Sequence, residues 1–133
     1  MKSAEDLVGI PFVSEGRSLE GADCWGIVTL YYRLILGKTI HSYRIEAFDF
    51  PRISETMTSE IQTPKWEILE NPEPHCIALM KLGYCSAALN HAGVILPSGR
   101  LLQSYESTGS IIVDPASPLW ARVIKHYIRP RGL

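Results

Sequence analysis

The chain has 133 residues, 46% of them hydrophobic and 20% charged, enough for one ordinary core and too apolar for a disordered segment. Thirteen Lys and Arg stand against fourteen Asp and Glu, a net charge of −1, so nucleic acid is not an expected partner. The three cysteines, Cys24, Cys76 and Cys85, are an odd number, which argues against a disulfide-stapled mini-domain and leaves at least one thiol free. No apolar run of signal-peptide length follows the acidic start at Glu5 and Asp6. The longest apolar stretch, residues 26–37, contains Arg33 and is too short to span a bilayer. The expectation is a chain made in the cytoplasm, without membrane insertion, that reaches any other compartment by means other than a signal peptide.

Taken in chain order, Ser3 caps a short helix over residues 4–8 that Gly9 and Pro11 end. Residues 11–22, with three loop formers at Gly16, Ser18 and Gly21, read as a loop. Asp23 is a good N-cap for a helix over residues 24–36, where Trp25, Val28, Tyr32 and Ile35 follow steps of three and four. Gly37 supplies its stop, and apolar residues around most of its circumference predict a central, buried helix. Four prolines, at 51, 64, 72 and 74, break up residues 38–74. A short helix near 54–61 is expected there, within a variable insertion or flap.

Beyond it the pattern turns to strands, over residues 76–80, 91–96, 100–105, 111–113 and 122–128. Pro97-Ser98-Gly99 suits a three-residue hairpin loop. That loop pairs Leu96 with Arg100, Gly93 with Gln103 and His91 with Tyr105, so His91 and Gln103 share a sheet face. A two-residue loop would place Gln103 on the other face. A helical block followed by antiparallel strands is an α+β arrangement, read as one domain over residues 1–133.

Cys24 opens the predicted helix, where free amide N–H groups and the dipole favour thiolate over thiol. It is either a nucleophile or a small apolar core residue. A nucleophilic cysteine needs a base, and of the four histidines at 41, 75, 91 and 126, His91 is the one placed at the start of a strand with small neighbours. Gln103 stands where a side-chain amide orients an imidazole in a Cys–His–polar triad. The bland reading of a lone strand histidine is a structural residue. A zinc site from Cys24, His75, Cys76 and His91 lacks any Cys-x-x-Cys or His-x-x-x-His pair, so no metal or cofactor is expected. Cys76 and Cys85 read as inert thiols, His41 and His126 as surface or interface residues, and Trp66 and Trp120 as core or groove lining.

Asp23-Cys24-Trp25-Gly26 opening a helix, Asn90-His91-Ala92-Gly93-Val94 on a strand and a polar residue twelve positions after the histidine resemble the NlpC-type cysteine peptidases. These are papain-like bacterial cell-wall hydrolases. Leu7-Val8-Gly9-Ile10-Pro11-Phe12 and Tyr127-Ile128-Arg129-Pro130 are reminiscent of their phage tail-protein branch. The resemblance implies a papain-like fold, its central N-terminal helix carrying the cysteine packed on an antiparallel sheet. It implies Cys24 as nucleophile, His91 as general base and Gln103 as orienter, with Phe12, Asp23, Trp25 and Tyr105 forming the substrate or oxyanion environment. Peptidoglycan stem peptides and other tail proteins are the implied partners, and the virion tail, acting at the cell wall or periplasm, the implied location. Two positions depart from the pattern. Phe12 stands where peptidase members carry tyrosine, and His75-Cys76 where relatives begin a strand with Gly-Asp. Loss of the tyrosine hydroxyl opens the alternative of a catalytically weak or inactive structural component of a tail tip.

Overall fold

The protein is described by a computed structural model over residues 3–83 and 89–132. A 3-10 turn at Ala4–Leu7 replaces the predicted first helix, with the Ser3 N–H donating to the Asp6 carboxylate at 3.3 Å. The stretch read as a loop holds a small ribbon, β1 (Arg17–Ser18) against β2 (Gly21–Ala22). Helix α1 (Cys24–Leu34) follows directly, and the chain leaves it across Gly37, where φ is +66° and the Lys38 N–H returns to the Tyr32 carbonyl at 2.9 Å. That is the glycine stop expected from the sequence.

Residues 38–49 run as a strap into α2 (Phe50–Glu60), which starts on Asp49 as cap with Pro51 in its first turn. The strands are β3 (Trp66–Leu69), β4 (Ile77–Met80), β5 (His91–Ile95), β6 (Leu101–Tyr105), β7 (Gly109–Val113) and β8 (Ile124–Pro130). They form one sheet in the order β3-β8-β4-β5-β6-β7, each pair antiparallel. Two elements differ from the sequence reading. β3 lies inside the segment taken as an insertion, because it pairs only with β8, some sixty residues away, and four residues carry no clear local period. Residues 122 and 123, read as the start of the last strand, instead end a short helix, α3 (Pro118–Val123), opened by Pro118.

Helix α1 covers one face of the sheet. Ile27, Val28, Leu30 and Tyr31 pack with Ile77, Leu79, Ala92, Val94 and Leu102 in the main core. The opposite face carries a smaller core of Cys76, Ala78, Met80, Ile95 and Leu101, under Trp120 and Val123. Central strands β4 and β5 are thus buried on both faces, which is why their sequences are apolar runs rather than alternations. The hairpin between β5 and β6 closes as expected, with Gly93 opposite Gln103 and the Leu96 N–H bonded to Arg100 O at 2.8 Å.

Gly26, in the first turn of α1, is where helix and ribbon meet. A Cβ there would lie 2.1 Å from the Gly16 carbonyl oxygen. Alanine is the better helix former by about 1 kcal/mol, yet the clash is with backbone and outweighs it. Gly26→Ala is therefore expected to lower stability by about 2 kcal/mol or more, read as a fall in the urea midpoint. An unchanged midpoint would contradict the close packing of ribbon on helix.

Candidate active site

The site grows from the N-terminus of α1. Asp23 is buried at 4% exposure and caps the helix, its Oδ1 accepting the Gly26 N–H at 2.8 Å. Its other oxygen accepts the Glu15 N–H at 2.8 Å. Arg17 completes the group with a 2.6 Å ion pair to Asp23. The sequence reading missed Arg17, since nothing local marks it. Only the ribbon, which sets Arg17 opposite Ala22, brings it beside Asp23.

Arg17 also holds the strap. Its Nη2 and Nε donate to the Ser42 carbonyl at 2.8 and 3.2 Å, and Nε reaches Ser42 Oγ at 3.1 Å. The Trp25 indole N–H donates to the His41 carbonyl at 2.8 Å, a second tie to the same strap. Trp25, expected in the substrate environment, is thus a buried wall residue, edge-on to Tyr43 and Trp66.

Cys24 is half-buried at the helix start and its sulfur is desolvated. Burial, and secondarily the Asp23 charge, push the thiol up to about 12, against backbone N–H bonds from Ala92 and Trp25 and the Arg17 charge. Burial and the Asp23 charge thus oppose the thiolate-favouring effect of the helix terminus. Asp23 occupies that terminus, and desolvation of the charged form exceeds what the remaining dipole supplies.

His91 begins β5 at 4% exposure, and its Nε2 lies 2.6 Å from Gln103 Oε1. With a carbonyl oxygen facing it, Nε2 carries the proton and Nδ1 is left as the basic nitrogen. Burial pushes the imidazole down to about 4, opposed by the Gln103 hydrogen bond. The register that put His91 and Gln103 on one face is the one observed. The Gln103 amide nitrogen is buried without a hydrogen-bond partner among the described residues. Tyr105, 40% exposed, stands edge-on to His91 with ring centres 6.0 Å apart.

Cys24 and His91 line one cavity of about 290 Å³, together with Phe12, Asp23, Trp25 and Tyr105. The sequence-predicted residues therefore gather in one place, with Gln103 behind His91. Residues from the strap and α2, including Phe48, Phe50 and Met57, wall the same cavity. Phe12 offers no hydroxyl, and its ring packs on Phe48 at 6.2 Å.

His75 and Cys76 lie elsewhere. His75 Nδ1 meets the Tyr31 hydroxyl at 2.6 Å, and Tyr31 is about 10 Å along α1 from Cys24. His75 adopts φ +73°, a backbone region suited to glycine, and is held there by the Tyr32 hydroxyl on its carbonyl at 2.5 Å. Cys76 is a buried free thiol raised by desolvation; Cys85 lies outside the described residues. His41 is exposed and His126 half-buried. Among the described residues no cluster of three or more His, Cys, Asp or Glu is placed to hold a metal, and no helix is long and apolar enough to cross a membrane.

A helix carrying a cysteine, packed on an antiparallel sheet that presents a histidine, is a papain-like α+β architecture. Comparison with solved structures gives the same class. The chain matches the NlpC/p60 domain of the peptidoglycan hydrolase SagA at TM-score 0.60 and 14% identity, over 95% of this chain and 92% of that one. It matches an NlpC/P60 family protein from Bacillus cereus at TM-score 0.62 and 15% identity, over 95% of this chain and 37% of that one. A protein from Staphylococcus aureus, described as similar to lipoprotein, NLP/P60 family, matches at TM-score 0.62 and 19% identity, over 94% and 38%. The chain thus spans less than two-fifths of the last two proteins. At these identities the likeness establishes the fold. No protein-family model and no curated protein sequence matches the chain.

Two measurements probe the site's electrostatics. Arg17→Met leaves the Asp23 carboxylate buried without its cation, with an expected loss of about 3–5 kcal/mol. Adding Asp23→Asn to that variant recovers part of the loss in the urea midpoint. For His91, the ordinary value is near 6.5 and the folded value about 4. Between those values the unfolded chain takes up a proton that the folded site refuses. Stability present above pH 6.5 is therefore lost as pH falls through 4, by on the order of 3 kcal/mol. Urea midpoints between pH 7 and 4.5 should fall less steeply in His91→Gln than in wild type; identical slopes would exclude a buried neutral His91.

Proposed function

We propose that this chain is a cysteine hydrolase of the bacterial cell wall, cutting amide bonds in peptidoglycan stem peptides with Cys24, His91 and Gln103. The observation that carries the reading is the 2.6 Å His91–Gln103 hydrogen bond on the wall of the cavity that Cys24 also lines. The likeness of fold to a peptidoglycan hydrolase domain supports the choice of substrate.

In the resting site both groups are neutral, because burial disfavours the thiolate and the imidazolium alike. Proton transfer is then coupled to attack rather than completed before it. Cys24 Sγ adds to the amide carbonyl carbon as its proton passes to His91 Nδ1. The resulting oxyanion is met by backbone N–H groups at the helix start, and the C–N bond breaks as His91 protonates the leaving amine. Water then attacks the thioester carbonyl, giving its proton to His91. The C–S bond breaks, the acid is released, and the thiol is restored. Gln103 keeps the imidazole in the tautomer this cycle needs.

Association with a phage or prophage tail belongs to the same proposal, supported by the sequence segments around Phe12 and Tyr127. A tail would carry the chain to the wall. Phe12 favours a second reading, a tail-tip structural component that keeps the fold with little or no turnover. Its ring packs on Phe48 where a tyrosine would offer a hydroxyl, and one lost oxyanion contact costs about a hundredfold in rate.

Digestion of purified muropeptides separates these. Wild type is expected to release new amine termini, and Cys24→Ala to lose at least ~1,000-fold of that rate. Equal activity in the two proteins would remove Cys24 from the mechanism. An inert wild type switched on by Phe12→Tyr would establish the structural reading.

A further inference from the structure

The chain has three phenylalanines, Phe12, Phe48 and Phe50, and all three line the cavity beside Cys24. They come from separate parts of the chain, the approach to the ribbon, the end of the strap and the first residue of α2. They touch in series, Phe12 on Phe48 at 6.2 Å and Phe48 on Phe50 at 6.3 Å. None is among the buried core residues, and Phe48 is 48% exposed. An aromatic row left half in water, at the mouth of a cavity, is a surface with apolar area still to cover.

The interior behind this row is apolar as well, with Ile53, Met57, Ile61 and Trp66 on its wall. At about 290 Å³ the space is roughly twice the 150 Å³ that encloses benzene. That suits one bulky side chain and is short for an extended lipid chain. Its charged groups oppose an acidic occupant. Arg17, the one cation among the described lining residues, is committed to Asp23 and the Ser42 carbonyl. Glu60, held in the ionised form chiefly by the Tyr43 hydroxyl and paired at 3.2 Å with Lys65 outside the cavity lining, and the exposed Glu106 supply the carboxylates. A carboxylate entering here would find no free cation among those residues and two carboxylates.

We infer that the Phe12–Phe48–Phe50 row and the cavity behind it form a subsite for a bulky apolar side chain of a peptide substrate, adjoining the bond that Cys24 attacks. The inference rests on the proposed role of Cys24 for its placement and not on peptidoglycan as the substrate. It makes the strap and α2, read from sequence as an insertion, the specificity-determining part of the fold.

Binding tests this without turnover. In Cys24→Ala, NMR shift titrations with N-acetyl-L-phenylalaninamide, N-acetylglycinamide, L-alanyl-γ-D-glutamate and decanoate compare the four chemistries directly. Phenylalaninamide is expected to bind at least ~10-fold more tightly than glycinamide, with shifts centred on residues 12, 48 and 50. Phe48→Ser, a half-exposed position, should weaken it by about tenfold, while Leu119→Ser, exposed on α3 and outside the cavity lining, should leave it unchanged. Equal affinity for phenylalaninamide and glycinamide, tighter binding of the acidic dipeptide or of decanoate, or no effect of Phe48→Ser would overturn the inference. Muropeptide cleavage without phenylalaninamide binding would overturn this inference alone; phenylalaninamide binding with muropeptides left uncut would overturn the peptidoglycan reading alone.

Discussion

The buried carboxylate of Asp23 is the constraint on which the rest of the site is built. A charge at 4% exposure is tolerable only with partners for both oxygens. Here the partners come from three directions: the Gly26 N–H of α1, the Glu15 N–H before the ribbon, and the Arg17 guanidinium from β1. Satisfying one side chain therefore sets the start of the helix, the fold of the ribbon against it and the position of the only cation among the described residues of the cavity wall. Arg17 passes the constraint on by holding the Ser42 carbonyl, so the strap that walls the cavity is fixed by the same charge.

That arrangement sets the chemistry of Cys24. A free helix terminus would favour the thiolate, but this one is occupied by an anion, and the sulfur next to it is out of water. His91 is in the opposite predicament, a base kept neutral by burial and oriented by Gln103. Burial thus disfavours the charged form of each. In the proposed mechanism, any charge separation between them is supported by what enters the cavity. The amide nitrogen of Gln103, without a partner among the described residues, is a cost of the same geometry, since the amide serves His91 with its oxygen.

The peripheral elements then divide by role. The six-stranded sheet and α1 supply the frame that carries Cys24 and His91. The strap and α2 cover the cleft, and they contribute two of the three phenylalanines. They are tied to the frame by hydrogen bonds from Arg17, Trp25 Nε1 and the Trp66 indole, and by Ile40, Tyr43 and Met57 packed on the main core. Far from the cleft, His75 holds a left-handed backbone position through the Tyr31 and Tyr32 hydroxyls.

By itself the sequence determined what local rules govern. The Asp23 cap, the extent of α1 to its glycine stop, and the Pro97-Ser98-Gly99 hairpin each follow from neighbouring residues. The hairpin fixed the register that sets Gln103 beside His91, so the pairing was legible before any coordinates. Strand β3 and the ribbon were not legible, because two to four residues become strands only through hydrogen bonds to a partner strand. Arg17 was invisible for the same reason, its role existing only once the ribbon turns it onto Asp23. The burial that opposes ionisation of Cys24 was not legible either, since a helix start reports a dipole while burial is a property of everything packed around the sulfur. Tertiary structure alone decided that, and it alone gathered three phenylalanines, up to 38 positions apart, onto one rim.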